Sequence, residues 1–183
     1  SAHDIPLADT ATPFLPDDSI LTESYTSGSS GTPKCVSKSF SQLRMEIAAL
    51  EREWGARLGD ALVIGTVPHH HLYGLLVRVL WPLLAGRTFL TTTCLQPSEL
   101  RLCAAKYRCI IVSSPAFLSR ITDCNTLPPA DRITGVFSSG APLPDACAEM
   151  LQRDWGHAPI EIYGSTETGG IAWRAWSGAE QRP

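Results

Sequence analysis

Apolar positions along the chain follow two alternating periods. Leu43, Ile47, Leu50 and Trp54 fall at steps of four, three and four, one stripe at helical period. Arg44, Glu46, Glu51, Arg52 and Glu53 populate the other faces. Ser39 or Ser41 suits the start of this helix, and Gly55 or Gly59 its end. Short apolar runs bounded by turn residues predict strands over 20–25, 35–39, 61–66, 87–92, 109–113, 133–138 and 160–163, with a further one over 171–176. Helices are predicted over 72–84, kinked or ended near Pro82, over 97–107 with Pro97 near the start, over 115–122 and over 144–155. Strands alternating with helices mean βαβ units. The expected fold is α/β, a mainly parallel sheet flanked by helices. Residues 1–19 hold prolines and several aspartates without periodicity and read as an extended lead-in to a core over 20–183.

Composition narrows this only a little. With 183 residues and 44 % hydrophobic content, the chain suits about one domain with a real core. The net charge of −3 is scattered, which argues against a nucleic-acid partner. The longest apolar stretch, 72–85, is broken by Gly74, Arg78 and Pro82 and is too short to span a membrane. No secretory pattern opens the chain. The six cysteines form no C-x-x-C pair, so reduced thiols in a cytoplasmic protein are expected.

In mainly parallel sheets ligands sit beyond the carboxyl ends of the strands. Four segments that follow strands are chemically rich. The first is Tyr25-Thr26-Ser27-Gly28-Ser29-Ser30-Gly31-Thr32-Pro33-Lys34. Its glycines let backbone N–H groups approach a ligand, its hydroxyls add donors, and Lys34 adds charge, the makings of a phosphate-wrapping loop. It lacks the G-K-[ST] of a Walker loop. A flexible Ser/Gly linker is the competing reading. The second is Pro68-His69-His70-His71-Leu72-Tyr73-Gly74. Adjacent histidines point in different directions and no cysteine lies nearby, so a pocket wall of imidazole and Tyr73, or a polar turn, reads better than a metal site. The third, Ser138-Ser139-Gly140-Ala141-Pro142, offers small residues that permit close approach of a flat ring, or simply turns the chain into a helix. The fourth, Tyr163-Gly164-Ser165-Thr166-Glu167-Thr168-Gly169-Gly170, sets an aromatic face and two hydroxyls beside a carboxylate that suits magnesium and phosphate.

In order and spacing, these four segments resemble the signatures of the adenylate-forming superfamily, which includes acyl-CoA synthetases, nonribosomal peptide adenylation domains and luciferases. The first and last segments are specific, while the middle two are looser. The resemblance implies the central part of the large N-terminal domain of such an enzyme. It implies an ATP-dependent ligase that joins a carboxylate to AMP, with release of pyrophosphate, and then to a thiol of CoA or of a carrier-protein phosphopantetheine. Thr26, Ser27, Gly28, Ser29, Ser30, Gly31, Thr32 and Lys34 would hold the β- and γ-phosphates. Thr166 would bond the α-phosphate and Glu167 would ligate Mg. Tyr163 and Gly164 would lie along the adenine, with Gly140, Ala141 and Pro142 on its other side. His71 and Tyr73 would border the acid, an aryl or medium-chain one.

Two departures from the family pattern stand out. Cys35 occupies a position where the family commonly has Gly. The family's ribose-binding aspartate and its C-terminal catalytic-lysine domain are absent from these residues. A catalytically incomplete nucleotide- or acyl-binding module, acting as scaffold or regulator, is therefore the alternative reading.

Overall fold

Two small sheets carry the fold. The computed structural model describes residues 16–26, 34–123 and 127–175. Strands β1 (Ile20–Thr26) and β2 (Lys34–Ser39) pair antiparallel and form a two-stranded sheet. The main sheet runs in the order β3 (Leu62–Gly65), β4 (Cys109–Ser113), β5 (Ile133–Ser138), β6 (Ile160–Ser165), β7 (Gly169–Ala175). β3 through β6 are parallel, and β7 returns antiparallel on β6 as a hairpin.

Every residue of β4 is buried, which is why its sequence is a continuous apolar run rather than an alternation. Successive side chains of the strands still point to opposite faces. Ile64, Ile111 and Val136 pack with Leu118, Leu151 and Trp155 on one face. Val63, Ile110, Val112 and Phe137 pack with Leu43, Ile47, Trp54, Leu76 and Trp81 on the other. Each face is thus covered by helices: α4 (Pro97–Ala104), α5 (Pro115–Asp123) and α6 (Asp145–Trp155) on the first, and α1 (Phe40–Leu50) on the second.

The helix stripe beginning at Leu43 is real, and of its two expected ends it takes Gly59. Ser39, not Ser41, caps α1: its Oγ accepts from Gln42 N at 3.3 Å while Gln42 Oε1 accepts from Ser39 N at 2.9 Å, a reciprocal capping box. Gly55 does not stop the helix. The chain continues through a π-helical stretch, Glu51–Gly55, into the short α2 (Ala56–Leu58), and ends at Gly59 with φ +58°. The predicted helix over 72–84 likewise starts as a π-helix, Gly74–Leu80, and runs on into α3 (Trp81–Leu84). Pro82 is the second residue of α3, just past the π-helical stretch, and the helix ends two residues later at Leu84, near Pro82 as expected.

The strand expected over 87–92 does not form; only Phe89 bridges to Val63. Thr88 O and Leu90 N bond to Val63 at 2.9 Å each, but the groups on either side are claimed elsewhere. Arg78 donates to Thr91 O and to Thr93 Oγ1, both at 2.8 Å, and Arg87 donates to Glu51 Oε1 at 2.5 Å and to the carbonyls of Gly55 and Gly59. No described helix is long and apolar enough to cross a membrane.

Candidate functional site

The carboxyl ends of the parallel strands open onto one cleft of about 660 Å³. Hydrogen bonds between the strand ends fix its floor. Thr66 and Ser113, at the ends of β3 and β4, share a buried hydroxyl–hydroxyl bond of 2.8 Å. Ser139, just past β5, donates to Ile162 O on β6 at 2.7 Å. Glu161 of β6 is buried and accepts from Leu143 N at 2.8 Å, and from Arg174 Nε at 2.9 Å and Nη2 at 3.1 Å. The turn after β5, which carries Gly140, Ala141 and Pro142, is therefore braced to β6 at both ends. Gly140 has φ +97°, a conformation side chains rarely adopt.

The β6–β7 connection is as tightly specified. Ser165 N donates to Thr168 Oγ1 and Thr168 N to Ser165 Oγ, both at 3.2 Å. Lys38 Nζ donates to Glu167 O at 2.8 Å, and Gly170 N donates to Glu46 Oε2 at 3.0 Å. Glu167's own backbone N–H, then the Ser165 hydroxyl, and further off Lys34 and Lys38, hold its carboxyl below the usual carboxylate range. Gly169 has φ +74°, a conformation L side chains rarely adopt, and a Cβ there would have to displace the Glu46 carboxylate.

The cleft gathers some of the expected residues and leaves others outside. His71, Thr166, Gly140 and Gly164 line it together, along with Tyr73. Glu167, Lys34, Tyr163, Ala141 and Pro142 do not. Tyr163 is 70 % exposed, on the outer side of its strand end. Pro142 instead borders a shallower depression with Arg174. Thr26 closes β1 and Lys34 opens β2, paired with each other across the hairpin. The expected phosphate contacts at Ser27, Gly28, Ser29, Ser30, Gly31 and Thr32 lie outside the described residues.

His69, His70 and His71 are exposed, with ring centroids 6.5 Å apart for the first pair and 4.4 Å for the second. No group of His, Cys, Asp or Glu among the described residues has the geometry of a metal site. Tyr73 turns its phenol inward; burial pushes that phenol well above its ordinary value, against a smaller opposing effect of the Ser113 backbone. Pro68, His71, Leu72, Tyr73 and Gly74 line the cleft, while His69 and His70 form an exposed turn beside it.

Three residues were not anticipated. Glu46 and Trp54 line the cleft from the α1 side, and the buried Lys38 ties β2 to the carboxylate-bearing turn. Trp54 was legible only as core. Glu46 sits three and four residues before Ala49 and Leu50, which line the same wall, a spacing that could have flagged it.

The sheet order, the ligand cleft at the carboxyl ends and the glycine- and hydroxyl-rich turns around it define an α/β ligand-binding domain. The chain belongs to the AMP-binding enzyme family, whose model matches residues 2–183. It is 38 % identical over 155 residues to a 4-coumarate–CoA ligase of Rhodobacter capsulatus, covering 84 % of this chain and 39 % of that protein. It is 26 % identical over 162 residues to a mitochondrial malonate–CoA ligase, ACSF3, of Homo sapiens, covering 79 % and 28 %. Among solved structures, apo MatB from Rhodopseudomonas palustris superposes with a TM-score of 0.81 at 23 % identity, over 93 % of this chain and 34 % of that one. The fold is thus that of an adenylate-forming enzyme, and the chain spans about two fifths or less of the relatives it matches.

Proposed function

We propose that these residues form the nucleotide- and acid-binding part of an AMP-forming ligase that activates a carboxylic acid and passes it to CoA. The observation that carries the reading is the single cleft shared by His71, Tyr73, Gly140, Gly164 and Thr166, drawn from three of the four signature segments. In the first step a substrate carboxylate oxygen attacks the α-phosphorus of ATP, and the bond to pyrophosphate breaks. In the second a thiol attacks the acyl carbonyl and AMP leaves. Both relatives named above are CoA ligases by name, which favours CoA over a carrier-protein phosphopantetheine. The 4-coumarate relative favours an aryl acid. ATP and CoA would both be met in the cytoplasm.

The roles are those the family resemblance implies, and the shared cleft supports them for His71, Tyr73, Gly140, Gly164 and Thr166. Thr166, in the cleft, donates its hydroxyl to the α-phosphate. The 26–32 loop and Lys34 hold the departing pyrophosphate. Gly140, Ala141 and Pro142 present a thin edge to the adenine, and the exposed ring of Tyr163 is free to lie along its other face. His71 and Tyr73 border the acid. Glu167 fits magnesium: its carboxylate is exposed and held ionised. A bound magnesium ion would offset charge between carboxylate and phosphates.

The test is carboxylate-dependent exchange of labelled pyrophosphate into ATP, run on the complete parent protein with magnesium and a broad panel of aryl and aliphatic acids. Exchange is expected with at least one acid. Its absence across the panel overturns the reading. Lys34→Ala should impair pyrophosphate handling more than acid binding.

A further inference from the structure

Among the described residues Arg78 is the largest side chain buried out of reach of solvent, 1 % exposed, and it has no carboxylate partner. A guanidinium cannot shed its charge. Burying it without an anion is costly, and an apolar chain of similar volume would fill the space at less cost. Three acceptors claim it instead. Nη1 donates to Val67 O at 3.0 Å and to Thr93 Oγ1 at 2.8 Å, and Nη2 donates to Thr91 O at 2.8 Å. One planar fork thus joins the π-helical stretch that carries it to the 91–93 segment and to Val67 of the cleft wall. Val67 sits where the sheet stops holding the chain. Thr66 N still bonds Val112 O at 2.9 Å, and its hydroxyl bonds that of Ser113. One residue later the carbonyl is met by Arg78. Next, the Pro68 carbonyl lies against Gly74, in the place a Cβ would take. Two consecutive wall residues are therefore fixed from one helical stretch, the first by a hydrogen bond and the second by close packing. The stem of Arg78 in turn fills the place of a side chain at Gly65, the last residue of β3.

We infer that Arg78 is the positioning residue for the acid side of the cleft: from behind the wall its fork sets Val67, and with it the 68–74 segment whose His71 and Tyr73 border the acid. This rests on the ligase reading above. Arg78 does not line the cleft and touches no substrate; it acts through the Val67 carbonyl. The fork holds the wall rigidly because hydrogen bonds from a charged donor are among the stronger kind, and because its planar geometry fixes direction as well as distance. The nucleotide side is reached from other elements: Gly140 follows β5, and Gly164 and Thr166 stand at the end of β6. Loss of the fork therefore acts on one substrate and spares the other.

The experiment measures KM for the best acid and KM for ATP separately, by pyrophosphate exchange of the complete parent protein, in the wild type, Arg78→Lys, Thr93→Val and Gly65→Ala. Lysine keeps the charge but offers no planar fork. Arg78→Lys should raise KM for the acid about 10-fold or more, since small misplacements of a positioning group are amplified, and leave KM for ATP unchanged. Thr93→Val removes one of the three acceptors and should move the acid KM the same way by less. Gly65→Ala presses on the Arg78 stem and should raise the acid KM with the fork's chemistry intact. In an Arg78→Ala background, where the stem is gone, adding Gly65→Ala should raise it no further, the non-additivity that a shared contact gives. Melting curves check that each variant is folded, and the ratio of two KM values on one folded variant cancels any general loss. Should the Arg78 variants not fold, Thr93→Val and Gly65→Ala decide on the same ratio. Equal changes in the two KM values of the folded variants, no change in either, or an acid KM fully restored by lysine overturns the inference while leaving the ligase reading intact. No exchange by the wild type with any acid removes the ligase reading, and the inference with it.

Discussion

Glu161→Ala is the most informative single perturbation outside the cleft. The carboxylate is 9 % exposed and serves two partners of unequal worth. Leu143 N–H, buried, would lose its acceptor, and stranding a buried donor costs about 1–3 kcal/mol. The Arg174 guanidinium is half exposed, its side chain at 52 %, so solvent already screens that ion pair to at most about 1 kcal/mol. The expected total is about 1–4 kcal/mol, carried mainly by the backbone donor. Arg174→Ala should therefore cost about 1 kcal/mol or less, and Glu161→Gln, which keeps an acceptor for Leu143, about 1 kcal/mol. Urea unfolding of the four proteins, with the double variant closing a cycle, gives each number. Because Leu143 follows the Gly140–Pro142 turn, KM for ATP should rise in Glu161→Ala more than KM for the acid. Equal losses for Glu161→Ala and Arg174→Ala would refute the claim that the backbone donor dominates. An unchanged KM for ATP would refute the claim that this turn flanks the nucleotide.

Other perturbations test separate parts of the structure. Lys38→Met removes the bond to Glu167 O; we expect a loss of about 1.5–3 kcal/mol in urea unfolding and a lower kcat for pyrophosphate exchange with the acid KM little changed. Gly74→Ala would push a Cβ onto the Pro68 carbonyl at the cleft wall, so melts should show a loss of about 1–3 kcal/mol and acid KM should rise. Glu51 is held below its ordinary value of 4.5 chiefly by its hydrogen bond with Arg87, opposed by partial burial and aided by Trp81. Its folded value is the lower one, so its contribution is complete above pH 4.5 and fades as pH falls through the folded value. Melting temperature should drop more steeply below pH 4.5 in the wild type than in Glu51→Gln.

The central strands could be read directly because nothing competes with burial there. Residues 109–113 and 133–138 are apolar runs between turns, and each forms a strand with those bounds. The helix boundaries were less legible. The π-helical stretches at Glu51–Gly55 and Gly74–Leu80 insert extra residues per turn, which a 3.6-residue period cannot announce. The lost strand over 87–92 shows side chains overriding a local pattern, since Arg78 takes Thr91 O from any sheet partner. The site was legible where it follows strands, at Gly140, Gly164, Thr166 and His71. Glu46 and Lys38 were hidden because each acquires its meaning from a partner more than a hundred residues away.

Those two distant bonds have a consequence for when the site can exist. Lys38 meets Glu167 across 129 positions and Glu46 meets Gly170 across 124, and each spans nearly the whole main sheet. Contacts of such separation close only after the intervening chain has been ordered. On a ribosome β1, β2 and α1 emerge before the main sheet, yet none can hold the carboxylate-bearing turn until residue 170 has been made and β3 through β6 have aligned. Assembly of the cleft should therefore appear as one late, abrupt event in synthesis. A chain released before β7 would carry the first signature with nothing to set it against.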